Sequence, residues 1–422
     1  MQITLVQSCG IAYILSITQE GTPLNKVLRS LFCGAALTGA LTCASLAADF
    51  TPCADTLHSL GLFEGTGSGY ALDRAPTRAE AAVMLVRLLG QEDAARKLTY
   101  TAPFTDLAAW EQPYIQYLYD NGLTQGTSAT SWSPEDMCDA RMYAAFLLRS
   151  LGYSDTAGDF SYTDAAEAAA QLGVYDLAAV DTELFNRDDA AAASYTALAV
   201  SPKGEEGMLL DRLTEQGAVD VAAAAPVKRL FANYESYRTM TAKTAAALTY
   251  KTVVQPTAVK RNGETVLTLR AEDATTADTD NRSLLTSGTL TLSAANVADK
   301  TLLTAVSLEN GLLSTSFGSR SGSEACSARD QMQRLTAFGR VPLAYVSSLS
   351  RSNDRWTIEL TSPLYDSLTD TAAFAMPNGN RMQVSNIQTE QTVSFGKIVS
   401  QTVSFDCTAG EYTISVSADF AG

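Results

Sequence analysis

The chain has 422 residues, an apolar share of 46%, and 46 Asp and Glu against 30 Lys and Arg, for a formal net charge of −16 at pH 7. That length accommodates two or three domains with ordinary buried cores. A surface so acidic excludes nucleic acid and anionic membrane as electrostatic partners and suits a protein exposed to water and to divalent cations.

Residues 24–47 read as a secretory signal: Lys26 and Arg29 supply the positive front, Leu31 to Leu46 an apolar stretch, and Ser45-Leu46-Ala47 a small-residue cleavage pattern. The mature chain is expected to begin at Ala48. Residues 1–23 fit no targeting segment and are expected to be untranslated or unstructured. The residues ahead of Cys33 and Cys43 do not follow the Leu, small, small order of a lipid-anchored cysteine. No later stretch is long and apolar enough to span a membrane, so a secreted, soluble protein is expected.

Four cysteines remain after residue 47: Cys53, Cys138, Cys326 and Cys407. An even number in a secreted chain permits two disulfides, and the pairing that respects the expected domain boundary is Cys53 with Cys138 and Cys326 with Cys407. Four reduced thiols are the alternative. Their wide spacing supports no zinc site, and no metal or cofactor is expected.

From residue 48 to about 220 the chain repeats one plan, a helix, a Gly-rich turn and a second helix. The first copy, about 50–98, runs from Asp55 through Gly61-Leu-Phe-Glu-Gly65 and Tyr70 to Thr77-Arg78-Ala79-Glu80, where Thr77 and Glu80 form a capping box ahead of an apolar helix. The second, about 99–157, is the clearest: Phe104-Thr-Asp106, Trp110, Pro113-Tyr-Ile115, Gly122-Leu-Thr-Gln-Gly126, Trp132-Ser-Pro134 and the helix Tyr143 to Leu151. The third, about 158–202, is Ala-rich and opens its second helix at Phe185-Asn186-Arg187-Asp188-Asp189. A unit this small cannot bury its apolar face alone, so neighbouring units must share a core.

These residues resemble the S-layer homology repeat. The resemblance implies an all-α module, a pseudo-threefold bundle of three repeats, that tethers bacterial surface proteins to secondary cell-wall polysaccharide or another peptidoglycan-linked polymer. It further implies that the arginine of Thr-Arg-Ala-Glu, with an aromatic and an acid from the first helix, lines grooves for acidic wall sugars. Matched by residue, Arg78 and Arg187 take the arginine position, and Asp106 and Trp110 the groove positions. An Arg fork suits a carboxylate and an aromatic face suits a sugar ring. The competing reading of each arginine is a salt bridge at its own helix end, to Glu80 or Asp189. In the second copy the motif becomes Asp139-Ala140-Arg141-Met142, with the arginine displaced by one position.

Ala222 to Pro226 marks a composition break, read as the linker to a domain at 226–422. Phe231 to Leu248 reads as a helix. Beyond it the apolar period falls to two, at Thr265–Arg270, Thr289–Ser293, Trp356–Leu360, Thr402–Phe405 and Tyr412–Ser417, which indicates antiparallel strands. Asn310-Gly311 signals a hairpin, and Glu324 to Phe338 reads as a helix. The result is an α+β domain with a curved antiparallel sheet. This layout resembles the half-barrel lipoprotein carriers typified by LolA, which implies an apolar ligand held on the concave face; a face filled by the domain's own helix is the alternative.

Chemistry is sparse. The single histidine, His58, has no nucleophile elbow nearby, no phosphate or dinucleotide motif occurs, and the run Asp273, Asp278, Asp280, Asn281 lacks the glycine and closing Glu of a calcium loop. The expectation is a non-enzymatic, bacterial cell-envelope protein that attaches to wall polysaccharide, with an apolar-ligand carrier or sensor and a wall hydrolase as alternatives.

Overall fold

The computed structural model describes residues 50–422 apart from 66, 68, 244–246, 297 and 362–382. The segments read as an untranslated stretch and a signal, with Cys33 and Cys43, lie outside the described residues.

The first half is helical: α1 (Thr51–Ser59), α2 (Arg78–Leu88), α3 (Glu92–Ala95), α4 (Gln112–Asp120), α5 (Ala140–Ser150), α6 (Ala165–Gln171), α7 (Arg187–Ala197) and α8 (Leu209–Glu215). Three pairs, α1 with α2, α4 with α5 and α6 with α7, follow the helix, turn, helix plan. Gly61, Gly122 and Gly173 follow the first helices and Gly90 and Gly152 the second, all at positive φ, the left-handed C-terminal stop that glycine adopts without strain. The inward faces, with Leu57, Leu85, Ile115, Leu118, Leu147 and Ala191 fully buried, form a common core.

Ala222–Pro226, read as a linker, is instead the beginning of one 20-residue helix, α9 (Val221–Met240). Asp220 caps it by accepting the Ala223 N–H at 2.9 Å. Four alanines are strong helix formers, and a proline in the second turn removes few intrahelical bonds, so the composition break carries no break in structure.

The second half is a single sheet of eleven strands, β1 (Ala247–Arg261), β2 (Glu264–Asp278), β3 (Ser283–Ser293), β4 (Lys300–Glu309), β5 (Leu312–Phe317), β6 (Arg320–Ala325), β7 (Val346–Ser352), β8 (Arg355–Leu360), β9 (Gln383–Ser394), β10 (Lys397–Ala409) and β11 (Tyr412–Ala421). The order is β6-β5-β4-β3-β2-β1-β11-β10-β9-β8-β7, and the paired strands are antiparallel. Two meanders meet where β1 pairs with β11, and α10 (Ala328–Leu335) connects them. Asn310 and Gly311, at φ 51° and 75°, make the β4–β5 hairpin as expected. The start of β1 occupies the end of the expected helix Phe231 to Leu248, and β6 the start of the expected helix at Glu324.

One face of the sheet is filled by the chain itself. Leu335 packs with Ala277, Leu284, Leu308 and Leu313, and Phe338 lies tilted against Tyr250 and parallel to Phe420. The loop after α10 is bonded to the sheet: Gln391 Nε2 donates to Gly339 O at 2.7 Å and Gln401 Nε2 to Ala337 O at 2.8 Å. From the other side Tyr234 and Tyr237 of α9 bond to Val341. This side of the sheet is a packed core, as in the alternative reading of the carrier-like layout.

Neither expected disulfide is formed. Cys53 Sγ donates to Ala344 O at 3.4 Å, Cys138 Sγ to Asp139 O at 3.6 Å, and burial pushes both thiols well above the usual range. Cys407 is a buried free thiol on β10, pushed up to about 12 by burial and by Asp406. Cys326 follows β6 at one sheet edge, and six strands separate β6 from β10. At about 4.8 Å per strand step that separation far exceeds the roughly 6 Å between bridged Cα atoms.

Candidate functional site

The N-terminal end of α2 is set by its own sequence. Thr77 caps it, with Glu80 N–H donating to Thr77 Oγ1 at 3.2 Å and Thr77 N–H donating to Glu80 Oε2 at 3.0 Å. Glu80 is further held by Arg74, whose Nη1 donates at 2.7 Å. That leaves Arg78, the first helical residue, without a carboxylate partner on its own helix, and its side chain crosses to the next helix pair. Its Nε donates to Trp132 O at 3.0 Å, its guanidinium lies 4.4 Å from the Trp132 ring centroid, and Nη1 sits 3.2 Å from Met142 Sδ. The backbone follows: Arg78 N–H donates to Asp136 O at 2.8 Å and Ala79 N–H to Pro134 O at 3.1 Å.

The loop that receives Arg78 is shaped by Asp106. Its carboxylate accepts the Trp132 N–H at 2.9 Å, the Ser133 N–H at 2.8 Å and the Ser131 hydroxyl at 2.6 Å. Burial opposes ionisation, yet these bonds hold the carboxyl below its usual range. The Trp132 ring is fully buried and its Nε1 donates to Thr124 Oγ1 at 3.1 Å.

Arg187 repeats the arrangement one pair along. It is the first residue of α7, and its Nε donates to Tyr70 O at 2.8 Å in the loop of the first pair. The guanidinium lies 5.6 Å from the Phe63 centroid, with Nη1 3.6 Å from Met84 Sδ. Arg187 N–H donates to Arg74 O and Asp188 N–H to Leu72 O. Thus the third pair docks on the first and the first docks on the second.

The second pair does not continue the series. Ala140 holds the corresponding first position of α5 behind the Asp139 cap, and its carbonyl accepts the Tyr175 hydroxyl at 2.8 Å. The displaced Arg141 is at the surface, paired with Asp139 at 3.1 Å and 5.3 Å from the Tyr162 centroid.

Of the expected site residues, the structure gathers Arg78 and Asp106 around one loop and places Arg187 in the equivalent position of another. Neither arginine takes the helix-end salt bridge of the competing reading: Glu80 pairs with Arg74 and Asp189 with Arg329. Both arginines are nearly enclosed, 7% and 3% exposed, and burial pulls both guanidinium pKa values down. Asp106 spends its oxygens on the loop. Trp110 stands apart, 54% exposed ahead of α4; the ring under Arg78 is Trp132, a residue of the Trp-Ser-Pro turn whose place in the motif was the available signal.

The other chemistry resolves plainly. His58 Nδ1 is 2.9 Å from Phe63 O. Asp278 is tied to Asn281 in the β2–β3 turn, Asp273 accepts from Thr304, and no cluster suited to a metal ion occurs among the described residues.

No family model matches the chain. It is 28% identical over 115 residues to the middle cell wall protein of Brevibacillus brevis, 26% of this chain and 11% of that protein. It is 36% identical over 64 residues to an endoglucanase of a Bacillus species, 15% of this chain and 7% of that protein. To the surface layer protein of Brevibacillus choshinensis it is 28% identical over 100 residues, 23% of this chain and 9% of that protein. The chain therefore spans about a tenth of the length of these relatives, and none of them is a lipoprotein carrier. Among the described residues no helix is long and apolar enough to cross a membrane. The chain is similar to cell-wall and surface-layer proteins, which agrees with a place in the bacterial cell envelope.

Proposed function

We propose that this chain is a secreted, non-enzymatic protein of the bacterial cell envelope whose three helix pairs are S-layer homology repeats, and that they attach it to acidic wall polysaccharide. The observation that carries this reading is the paired geometry of Arg78 and Arg187, each the first residue of its helix, bonded to a loop carbonyl of the neighbouring pair, beside an aromatic ring. A guanidinium held without a carboxylate partner at a junction between units suits an anionic sugar substituent. The third junction, where Ala140 stands in the arginine's place, is inactive in this scheme, so two grooves carry the binding.

The test is co-sedimentation of the purified protein with cell walls of the producing organism, beside the double variant Arg78→Ala, Arg187→Ala, with circular dichroism to confirm that the variant is folded. The unaltered protein is expected in the pellet and the variant in the supernatant, with at least a tenfold loss in apparent affinity. Unaltered protein that stays in the supernatant would sink the proposal.

A further inference from the structure

The helical pairs and the sheet domain meet along a seam, and the seam contains a cleft of about 250 Å³. Tyr175, Asp176 and Leu177 line it from the helical side; Met332, Leu335 and Arg340 line it from the sheet side. Asp176 and Arg340 are the charged residues of this lining. They are opposite in sign, they come from different halves of the molecule, and no ion pair joins them.

Asp176 Oδ1 accepts the Ala178 N–H at 3.0 Å. Among the described residues Oδ2 and the Arg340 guanidinium have no hydrogen-bond or salt-bridge partner. Burial pushes the Asp176 carboxyl up, while the Ala178 N–H and the Arg340 charge favour the anion. Two charges partly withdrawn from water and not joined in an ion pair carry a desolvation cost that the single Ala178 N–H bond offsets only in part. A molecule that presents a carboxylate to one and an ammonium to the other completes both.

We propose that this cleft binds a small zwitterion of the amino-acid class, its carboxylate on the Arg340 fork and its ammonium on Asp176. The planar guanidinium matches a carboxylate in two parallel bonds, and the half-buried Leu177 and Met332 receive a short apolar side chain. The volume lies below the roughly 300 Å³ at which drug-sized sites begin, so a single amino acid or a dipeptide fits. The cleft shares no residue with the Arg78 and Arg187 junctions, so this site stands or falls separately from wall attachment.

Isothermal titration calorimetry on the purified protein tests it, with L-alanine, D-alanine and D-alanyl-D-alanine as probes and acetate and ethylamine as half-molecules. Saturable binding of at least one zwitterion and none of either half-molecule is expected. Asp176→Asn and Arg340→Ala should each weaken it at least tenfold, with unchanged circular dichroism. Arg340→Lys, which keeps the charge without the fork, should fall between and separates lost recognition from a loosened seam. Absence of binding by all three zwitterions, acetate binding as tightly as alanine, or unaltered affinity in both Asp176→Asn and Arg340→Ala overturns the proposal.

Discussion

Asp189 is where a helix cap and the seam between the two halves share one carboxylate. Oδ2 accepts the Asn186 N–H at 2.8 Å; Oδ1 accepts the Asp181 N–H at 2.8 Å and Arg329 Nη1 at 3.3 Å. Burial nonetheless pushes the carboxyl up to about 6, the Arg329 charge and the two N–H bonds only partly opposing it, with Asp181 adding to the rise. The unfolded chain releases this proton near pH ~3.9. Between about 4 and 6 the folded state therefore holds a proton that the unfolded state has lost, and stability falls as pH rises across that window, then stays level. The fall is of order 1–3 kcal/mol. Urea unfolding at pH 4 and pH 7 is expected to show Asp189→Asn with a smaller pH difference than the unaltered protein; equal differences would contradict the assignment. At this scale the sequence was legible where residues belong to a motif. Thr-Arg-Ala-Glu and its worn copy mark Arg78 and Arg187 as the residues that open their helices, whereas Asp176 and Arg340 line one cleft only because the fold brings the two segments together, and no local pattern announces them.

The elements that carry the junctions are set by turns whose geometry tolerates little change. Gly126 lies in the loop that Asp106 organises, and a Cβ there would fall 2.4 Å from Phe104 Cε1, 2.5 Å from Ser128 O and 2.7 Å from Ser131 O. Two of those atoms are backbone and cannot swing aside. Gly122, at φ +67°, has open space around it, so a side chain there meets only backbone strain. Gly126→Ala is thus expected to cost about 2–3 kcal/mol and to displace Trp132, and Gly122→Ala about 1 kcal/mol. Denaturant unfolding followed by tryptophan fluorescence checks both, and equal costs would mean that the loop relaxes freely. Capped helices were readable in advance: the Thr77 capping box stands where the sequence placed it. Strands β1 and β9 were not. Pro256 interrupts the pattern of β1 and coincides with a register shift between Val254 and Thr257. In β9 the buried positions are Ile387, Thr389, Gln391 and Val393, so two polar residues interrupt the inward face and break the apolar alternation that marks a strand.

The molecule as a whole is joined at Tyr345. Its ring packs edge-on against Phe50 at 5.1 Å, its hydroxyl donates to Ala178 O at 3.2 Å, and Gln333 Nε2 reaches both Ala178 O, at 3.0 Å, and the Tyr345 hydroxyl, at 2.6 Å. Cys53 Sγ bonds to Ala344 O beside it. One fully buried aromatic therefore ties α1, the segment after α6 and the connection into β7 into one unit. The sequence placed a boundary near Pro226 because composition changes there, but α9 runs through it and its Phe231 packs on Tyr195 of α7 while Tyr237 packs on Trp356 of β8. With both a continuous helix and a buried seam, the two halves should unfold in one calorimetric transition. Tyr345→Ala removes the ring and leaves a cavity in the seam at a cost of about 3–5 kcal/mol. If the seam is what couples the halves, the variant's transition should divide into two, while Tyr345→Phe, which loses only the hydroxyl, should keep one transition at a lower temperature. A single, merely lowered transition in Tyr345→Ala would place the coupling in α9 instead, because the helix alone would then suffice to transmit unfolding from one half to the other.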